Sequence, residues 1–148
     1  MPETSRAYAR QVGKFLLPPM DPLADMFIRL KNAQAVKKQT VAIPYSRLKM
    51  DVLKLLQREG YVEGVVRKGR KARKTIEVAL GYDKEGEPHI RGVRRVSKPS
   101  RRVYCAAKDI VRSQNATGLN VLTTPKGILT DAEAKKEHVG GEMICEIW

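Results

Sequence analysis

From residue 21 onward the apolar positions of this chain alternate between helical and extended periods. Asp21 offers a side-chain acceptor for the open amides of a helix start, and Pro22 sits where a missing N–H leaves no helical bond unmade. Leu23, Met26, Phe27 and Leu30 follow at i, i+3, i+4 and i+7, the spacing of one helical face, with Asp25, Arg29 and Asn32 on the opposite one. Residues 40–43 alternate as a short strand that Pro44 stops, because proline has no N–H for a sheet ladder. Ser46 is placed to cap a second helix with an inner stripe of Leu48, Val52, Leu55 and Leu56, and Gly60 is placed to end it. Residues 61–66 and 75–82 read as strands, the second with Ile76, Val78, Leu80 and Tyr82 in strict alternation.

A polar break at 83–88, bearing Gly86 and Pro88, separates this half from one of different character. Short strands are predicted around 90–96, 101–104, 118–123 and 142–148, interrupted by two short helices. One helix covers 106–113; the other starts at Thr130, where Thr130 and Glu133 have capping-box spacing. The reading is an α+β protein of two lobes. A helix-rich N-terminal α/β lobe at 20–82 carries a small three-stranded sheet, 83–88 is a linker, and a strand-rich lobe with short helices occupies 89–148. Residues 1–19 carry Arg6, Arg10 and Lys14 against Glu3 and read as an appendage. Three accounts of it stay open: a basic extension that lies on RNA, an organellar targeting segment, or upstream sequence joined to a chain that starts at Met20.

The chain has 148 residues and 42% hydrophobic composition, enough for one core or two small lobes. Charge changes the picture more. The 29 Lys and Arg against 16 Asp and Glu give a formal net charge of +13. Such a surface attracts polyanions, and counterion release favours nucleic acid over an anionic membrane or an acidic protein. A solvated basic face with no dedicated ligand is the plain alternative. Cys105 and Cys145 form no C-x-x-C pair, and His89 and His138 stand at no ligand spacing from either, so neither a metal site nor a disulfide framework is expected. Reduced, cytosolic conditions fit this cysteine usage. The apolar runs are too short to span a bilayer. No nucleophile-elbow, zinc-protease, Walker-type or dinucleotide-binding motif occurs, which argues against an enzyme with a cofactor or small-molecule substrate.

Three segments carry candidate chemistry. Residues 91–102 hold Arg91, Arg94, Arg95, Lys98, Arg101 and Arg102 with no acid, and Ser97 and Pro99 shape a turn among them. If 90–96 is a strand, Arg94 and Arg95 face opposite ways, so these cations cannot all reach one ligand. Tyr104, just downstream, offers a ring to stack on a base or ribose, although a lone Tyr is more often core. The loop at 67–74 holds six cations, again without an acid. Thr123-Thr124-Pro125-Lys126-Gly127 ends a strand in two hydroxyls, a cation and a glycine. Hydroxyls serve phosphate, ribose and base edges, Lys126 supplies charge, and Gly127 permits close backbone approach. Taken alone, an ordinary turn explains that segment as well.

Taken together and in order, three blocks resemble the bacterial-type protein eight of the small ribosomal subunit, from about Met20 to the C-terminus. They are Asp21-Pro22-Leu23-Ala24-Asp25-Met26 with Arg29 and Asn32, then Arg95-Val96-Ser97-Lys98-Pro99 with Tyr104, then the run from Gly118 through Asp131 continuing to Gly140-Gly141-Glu142-Met143-Ile144-Cys145. The resemblance implies a two-lobed α+β protein that binds the central domain of small-subunit ribosomal RNA early in assembly, beside neighbouring small-subunit proteins. It implies no catalysis and no cofactor. It also implies a cytoplasmic ribosome, or an organellar one if residues 1–19 are a targeting segment. Binding to its own messenger is compatible with it. Carried over by motif, Thr123 and Thr124 would contact bases and sugar, while Tyr104 and Glu142 would support the loop. Asp21, Arg29, Ser46, Lys49 and Lys126 would position the RNA, and Ser97, Lys98, Pro99, Pro125 and Gly127 complete the RNA-binding set. For Glu142 the other reading is an edge-strand carboxylate facing solvent. The chain departs from the family at Pro125, where serine is usual, losing a hydroxyl and an N–H. It departs again at Ser100, where a glycine is usual.

Overall fold

The structure is a computed structural model that describes residues 21–113 and 118–148, so the expected extension at 1–19 lies outside the described residues. Helix α1 (Pro22–Ala35) opens as its sequence directs, with the Asp21 carboxylate accepting from the Ala24 amide at 3.3 Å, and buries Leu23, Met26, Phe27, Leu30 and Ala33. Strand β1 (Thr40–Pro44) leads into helix α2 (Arg47–Arg58), whose first turn is held by Ser46 Oγ accepting from the Lys49 amide at 3.1 Å. Gly60, at φ +86°, turns the chain out of α2 in the left-handed conformation that glycine adopts without a Cβ clash.

The inner stripe of α2 differs from the expected one in its first turn. Leu48 is 43% exposed, and the buried set is Lys49, Val52, Leu53, Leu55 and Leu56. The stripe follows residues 49, 52, 53 and 56, so the lysine stem, not Leu48, lies over the sheet. Its ammonium escapes to the Pro44 carbonyl at 3.3 Å, the behaviour of a long amphipathic side chain.

Strands β2 (Val62–Lys68) and β3 (Thr75–Leu80), joined through a 3₁₀ turn at Lys71–Arg73, complete an antiparallel sheet of order β1-β3-β2. The alternation of β3 puts Ile76, Val78 and Leu80 inside. Residues 83–88 form a turn in which the Asp83 carboxylate accepts from the amides of Glu85 (2.8 Å) and Glu87 (2.9 Å). The Glu87 amide in particular holds that carboxyl below its ordinary pKa.

The second sheet contains β4 (Val93–Arg95), β5 (Tyr104–Cys105), β6 (Leu119–Thr124), β7 (Gly127–Thr130) and β8 (Gly141–Ile147). Its path is β4-β8-β6-β7, and β5 also pairs with β8, which makes β8 the spine. Helix α3 (Asp131–Lys136) is capped by Thr130, whose hydroxyl accepts from the Glu133 amide at 3.2 Å and donates to the Glu133 carboxylate at 3.3 Å. The helix expected over 106–113 is instead a single 3₁₀ turn at Ala107–Asp109. Only Ile110 of that segment is buried, so no apolar face rewards the cost of nucleating a helix. Strand β7 was not foreseen, because four residues are too short to display a period. The expected strands at 90–96 and 101–104 contract to β4 and β5, which divide the seven-residue β8 between them, pairing with its residues 145–147 and 141–142.

The α+β class, the three-stranded N-terminal sheet with its helices and the strand-rich second sheet are as the sequence implies. The two sheets are joined by apolar contact. One buried cluster runs from Met26, Leu30, Val52 and Ile76 to Val121, Ile144, Cys145 and Ile147, and a smaller one of Ile110, Leu122 and Ala134 lies beneath α3. Among the described residues, two ion pairs cross the same boundary: Arg95 with Asp21 at 3.0 Å, and Arg58 with Glu133 at 2.5 Å.

Candidate nucleic-acid interface

The turn between β6 and β7 has two residues, because Thr124 pairs with Gly127 and Thr123 with Ile128. The Thr124 hydroxyl closes it, donating to the Gly127 carbonyl at 2.8 Å and accepting from the Lys126 amide at 3.1 Å. Gly127 has φ +107°, and Pro125 and Lys126 form the exposed tip. Proline suits the first central position of such a turn, since its fixed φ matches and that N–H has no ladder partner. Pro125 therefore preserves the hairpin while removing a hydroxyl and an N–H from its tip. Lys126 reaches Glu137 at 3.1 Å, both side chains about half exposed, a contact weak enough to exchange for another anion.

Behind the hairpin, β8 places Glu142 directly opposite Thr123 on β6 and directly opposite Tyr104 on β5. Residues opposite each other in antiparallel strands project from the same face, so Tyr104, Glu142 and Thr123 form one row. Tyr104 is 71% exposed, which excludes the core reading of this ring. Glu142 is not a solvated edge carboxylate. Its Oε1 accepts from Ser97 Oγ at 2.7 Å and from the Arg102 guanidinium at 2.9 Å. With its charge compensated inside the protein, it does not oppose a phosphate nearby.

Ser97 corrects an expectation. It is 0% exposed, and its hydroxyl also accepts from the Val103 amide at 3.2 Å, so it ties the strand bearing Tyr104 to Glu142 and has no access to a ligand. Lys98 and Arg101 exchange backbone bonds of 2.9 Å in both directions, putting Pro99 and Ser100 at the tip of a second tight turn. Ser100 is not among the residues of positive φ, so a serine closes this turn without strain. Arg94 and Arg95 part company as alternation requires: Arg94 pairs with Glu146 at 3.4 Å, and Arg95 takes Asp21. Lys98 and Arg101 remain exposed on the turn, with no ion pair among the described residues.

The first-lobe candidates do not join this row. Arg29 lies exposed on the outer face of α1. Ser46 and Lys49 are engaged in building α2, and Lys49 is 8% exposed. Asp21 caps α1 and also receives Arg95 in a two-bond fork, Nε to Oδ2 at 3.0 Å and a terminal nitrogen to Oδ1 at 3.1 Å. Arg95 additionally donates to the Ile144 carbonyl. Any influence of Asp21 on a ligand thus passes through the seating of α1 against the second sheet.

Gly140 and Gly141 of the third motif sit where the backbone leaves no room for a side chain. A Cβ on Gly141 would lie 2.1 Å from the Thr123 carbonyl oxygen, and one on Gly140 would lie 2.3 Å from that of Cys105. Both flanks of the row are packed backbone to backbone. Arg102 as the partner of Glu142 was not legible in the sequence, because the two stand 40 positions apart. Among the described residues, no group of three or more His, Cys, Asp or Glu is placed to hold a metal ion, and no helix is long and apolar enough to cross a membrane.

The family described as ribosomal protein S8 matches residues 21–148. The small ribosomal subunit protein uS8 of Clostridioides difficile (strain 630) is 44% identical over 130 residues, covering 86% of this chain and 97% of that protein. Those of Thermus aquaticus and Sphingopyxis alaskensis are 43% and 45% identical over 135 and 131 residues, again across 86% of this chain. A family match over residues 21–148, with relatives 43–45% identical across 86% of this chain, makes this protein a member of the ribosomal protein S8 family.

Proposed function

We propose that this protein binds the central domain of small-subunit ribosomal RNA directly, through the row Tyr104-Glu142-Thr123 and the hairpin tip at Thr124–Gly127, and supports assembly there. Members of the family are structural ribosomal proteins, not enzymes, and its partners are small-subunit RNA and the neighbouring small-subunit proteins. The observation that carries the reading is the exposed Tyr104 ring, set by strand register beside a hydroxyl hairpin and backed by a neutralised carboxylate. Tyr104 offers a stacking face for an unpaired base. Thr123 presents its side chain from the same row. Thr124 has used its one donor and one acceptor position within the turn, which leaves a single lone pair to accept from a ribose 2′-OH or a base amino group. Lys126 leaves Glu137 for a phosphate, while Arg29, Lys98 and Arg101 hold backbone without reading sequence. The lobe at 89–148 is then the RNA-binding one, with Ser97 and Glu142 as its internal supports and Pro99 and Gly127 as its turn formers. A messenger folded into the same surface would be bound by the same residues, which would let the protein act on its own transcript. We place it on the cytoplasmic ribosome; the organellar alternative rests on residues 1–19, outside the described residues.

Purified full-length protein is expected to bind a central-domain RNA fragment far more tightly than an unrelated RNA of equal length at moderate salt. Equal affinity for the two refutes the reading. Thr124→Ala weakens the specific complex by about 1 kcal/mol, the net scale of one hydrogen bond. Lys126→Gln weakens binding to both RNAs and makes the salt dependence shallower by about 1 unit of log K per log salt.

A further inference from the structure

The hairpin joining β2 and β3 lies at the far end of the first sheet from the linker and plays no part in the interface described above. Its residues 67–74 include six cations and no acid. The loop is folded upon itself. Gly69 (φ +95°) packs so closely on the Arg73 carbonyl that a Cβ would stand 2.1 Å from its oxygen, Lys71 is left-handed at φ 49°, and the Arg73 amide donates to the Arg70 carbonyl at 3.1 Å. The Tyr45 amide donates to the Lys74 carbonyl at 3.1 Å, which ties the hairpin base to the chain just before α2. Arg67 lies over the Tyr45 ring, 4.8 Å from its centroid. The nearby acid Glu77 is taken by Lys68 at 2.7 Å. Arg47, Arg67, Arg70, Lys71, Arg73 and Lys74 make no ion pair among the described residues.

We infer that this hairpin is a second RNA contact, a cationic clamp on the phosphodiester backbone of a ribosomal RNA segment other than the one read at Thr123 and Thr124. This deepens the proposed function and rests on it for the identity of the partner. Three features select a phosphate backbone. Residues 69–74 expose Gly69, Arg70, Lys71, Ala72 and Arg73, with no large apolar or aromatic group to form the desolvated centre that a protein partner or a membrane surface requires. The cations are presented by a loop already closed on itself, so binding orders little that was free. They recur without acids, and so they attract phosphate with no preference among bases.

The test compares three full-length proteins on whole small-subunit ribosomal RNA: wild type, Arg70→Gln/Lys71→Asn/Arg73→Gln/Lys74→Gln, and a control that removes the same charge elsewhere, Lys54→Gln/Lys84→Gln/Lys108→Gln/Lys135→Gln. Asparagine at 71 tolerates the left-handed backbone. Affinity is measured across a salt series, with circular dichroism to verify the fold. The hairpin variant is expected to show a dependence of log K on log salt shallower by about 2 units, the release expected from two to three phosphates, while the control stays near wild type. Its preference for central-domain over unrelated RNA should be unchanged. An unaltered slope in the hairpin variant, or equal flattening in the control, overturns the clamp. Loss of preference already in the wild type refutes the proposed function instead, and the slope comparison still decides the hairpin.

Discussion

Replacing Ser97 by alanine separates internal support from ligand contact. In the native protein the Ser97 hydroxyl donates to Glu142 at 2.7 Å, accepts from the Val103 amide at 3.2 Å, and is shut off from solvent. The substitution removes a hydrogen bond to a carboxylate, worth about 1.5–3 kcal/mol, and strands a buried N–H, which adds about 1–3 kcal/mol. Glu142 keeps the Arg102 guanidinium at 2.9 Å, so its charge is not orphaned and the total falls short of the sum. We expect a loss of about 2–4 kcal/mol, against a total stability on the order of 5–15 kcal/mol for a domain of this kind. Urea denaturation of the full chain should show the midpoint lowered by about 1–2 M with an unchanged m-value. RNA affinity, measured well below the new midpoint, should fall with it, because Val103 precedes Tyr104 and Glu142 stands between Tyr104 and Thr123. A stability loss under about 0.5 kcal/mol, the scale of a surface change, refutes the network as a support. Unchanged stability with tenfold weaker RNA binding shows that the hydroxyl touches the ligand.

Asp21→Asn keeps a capping acceptor but removes the charged half of the fork with Arg95, whose side chains are only 19% and 13% exposed; the expected loss is about 2–3 kcal/mol by urea denaturation. Adding Arg95→Met should restore part of it, and a double variant worse than the sum of the singles argues against the clasp. Cys145, fully buried, has its thiol pKa pushed up to about 12 by loss of water, from 9.0 for the free group. A raised folded-state value leaves stability intact below pH 9 and erodes it as pH rises from there toward the folded value. Cys145→Ala lacks that term, so its deficit relative to wild type should narrow by about 1 kcal/mol between pH 7 and pH 10 in parallel urea titrations.

The chain's local decisions were legible before any tertiary structure. The caps at Asp21, Ser46 and Thr130 act within three residues of themselves, and the alternation of Ile76, Val78 and Leu80 needs only a period of two. Motif order identified the family and drew attention to Thr123, Thr124, Tyr104 and Glu142. Decisions that hang on a distant partner were not legible. Which residue of the first α2 turn is buried, Leu48 or Lys49, depends on where the sheet lies beneath it. Whether 106–113 gains a helix depends on an apolar surface to receive it. Whether 127–130 is a strand depends on β6. Asp21 showed its cap but not its fork, because Arg95 is 74 positions away in sequence. Ser97 read as a surface turn residue, although its hydroxyl belongs to a carboxylate 45 positions on. Periodicity and capping are short-range, and the sequence alone settles them. Strand register and the pairing of buried charges are long-range, set only when burial forces each polar group to find its partner, and they join Tyr104, Glu142 and Thr123 into one face.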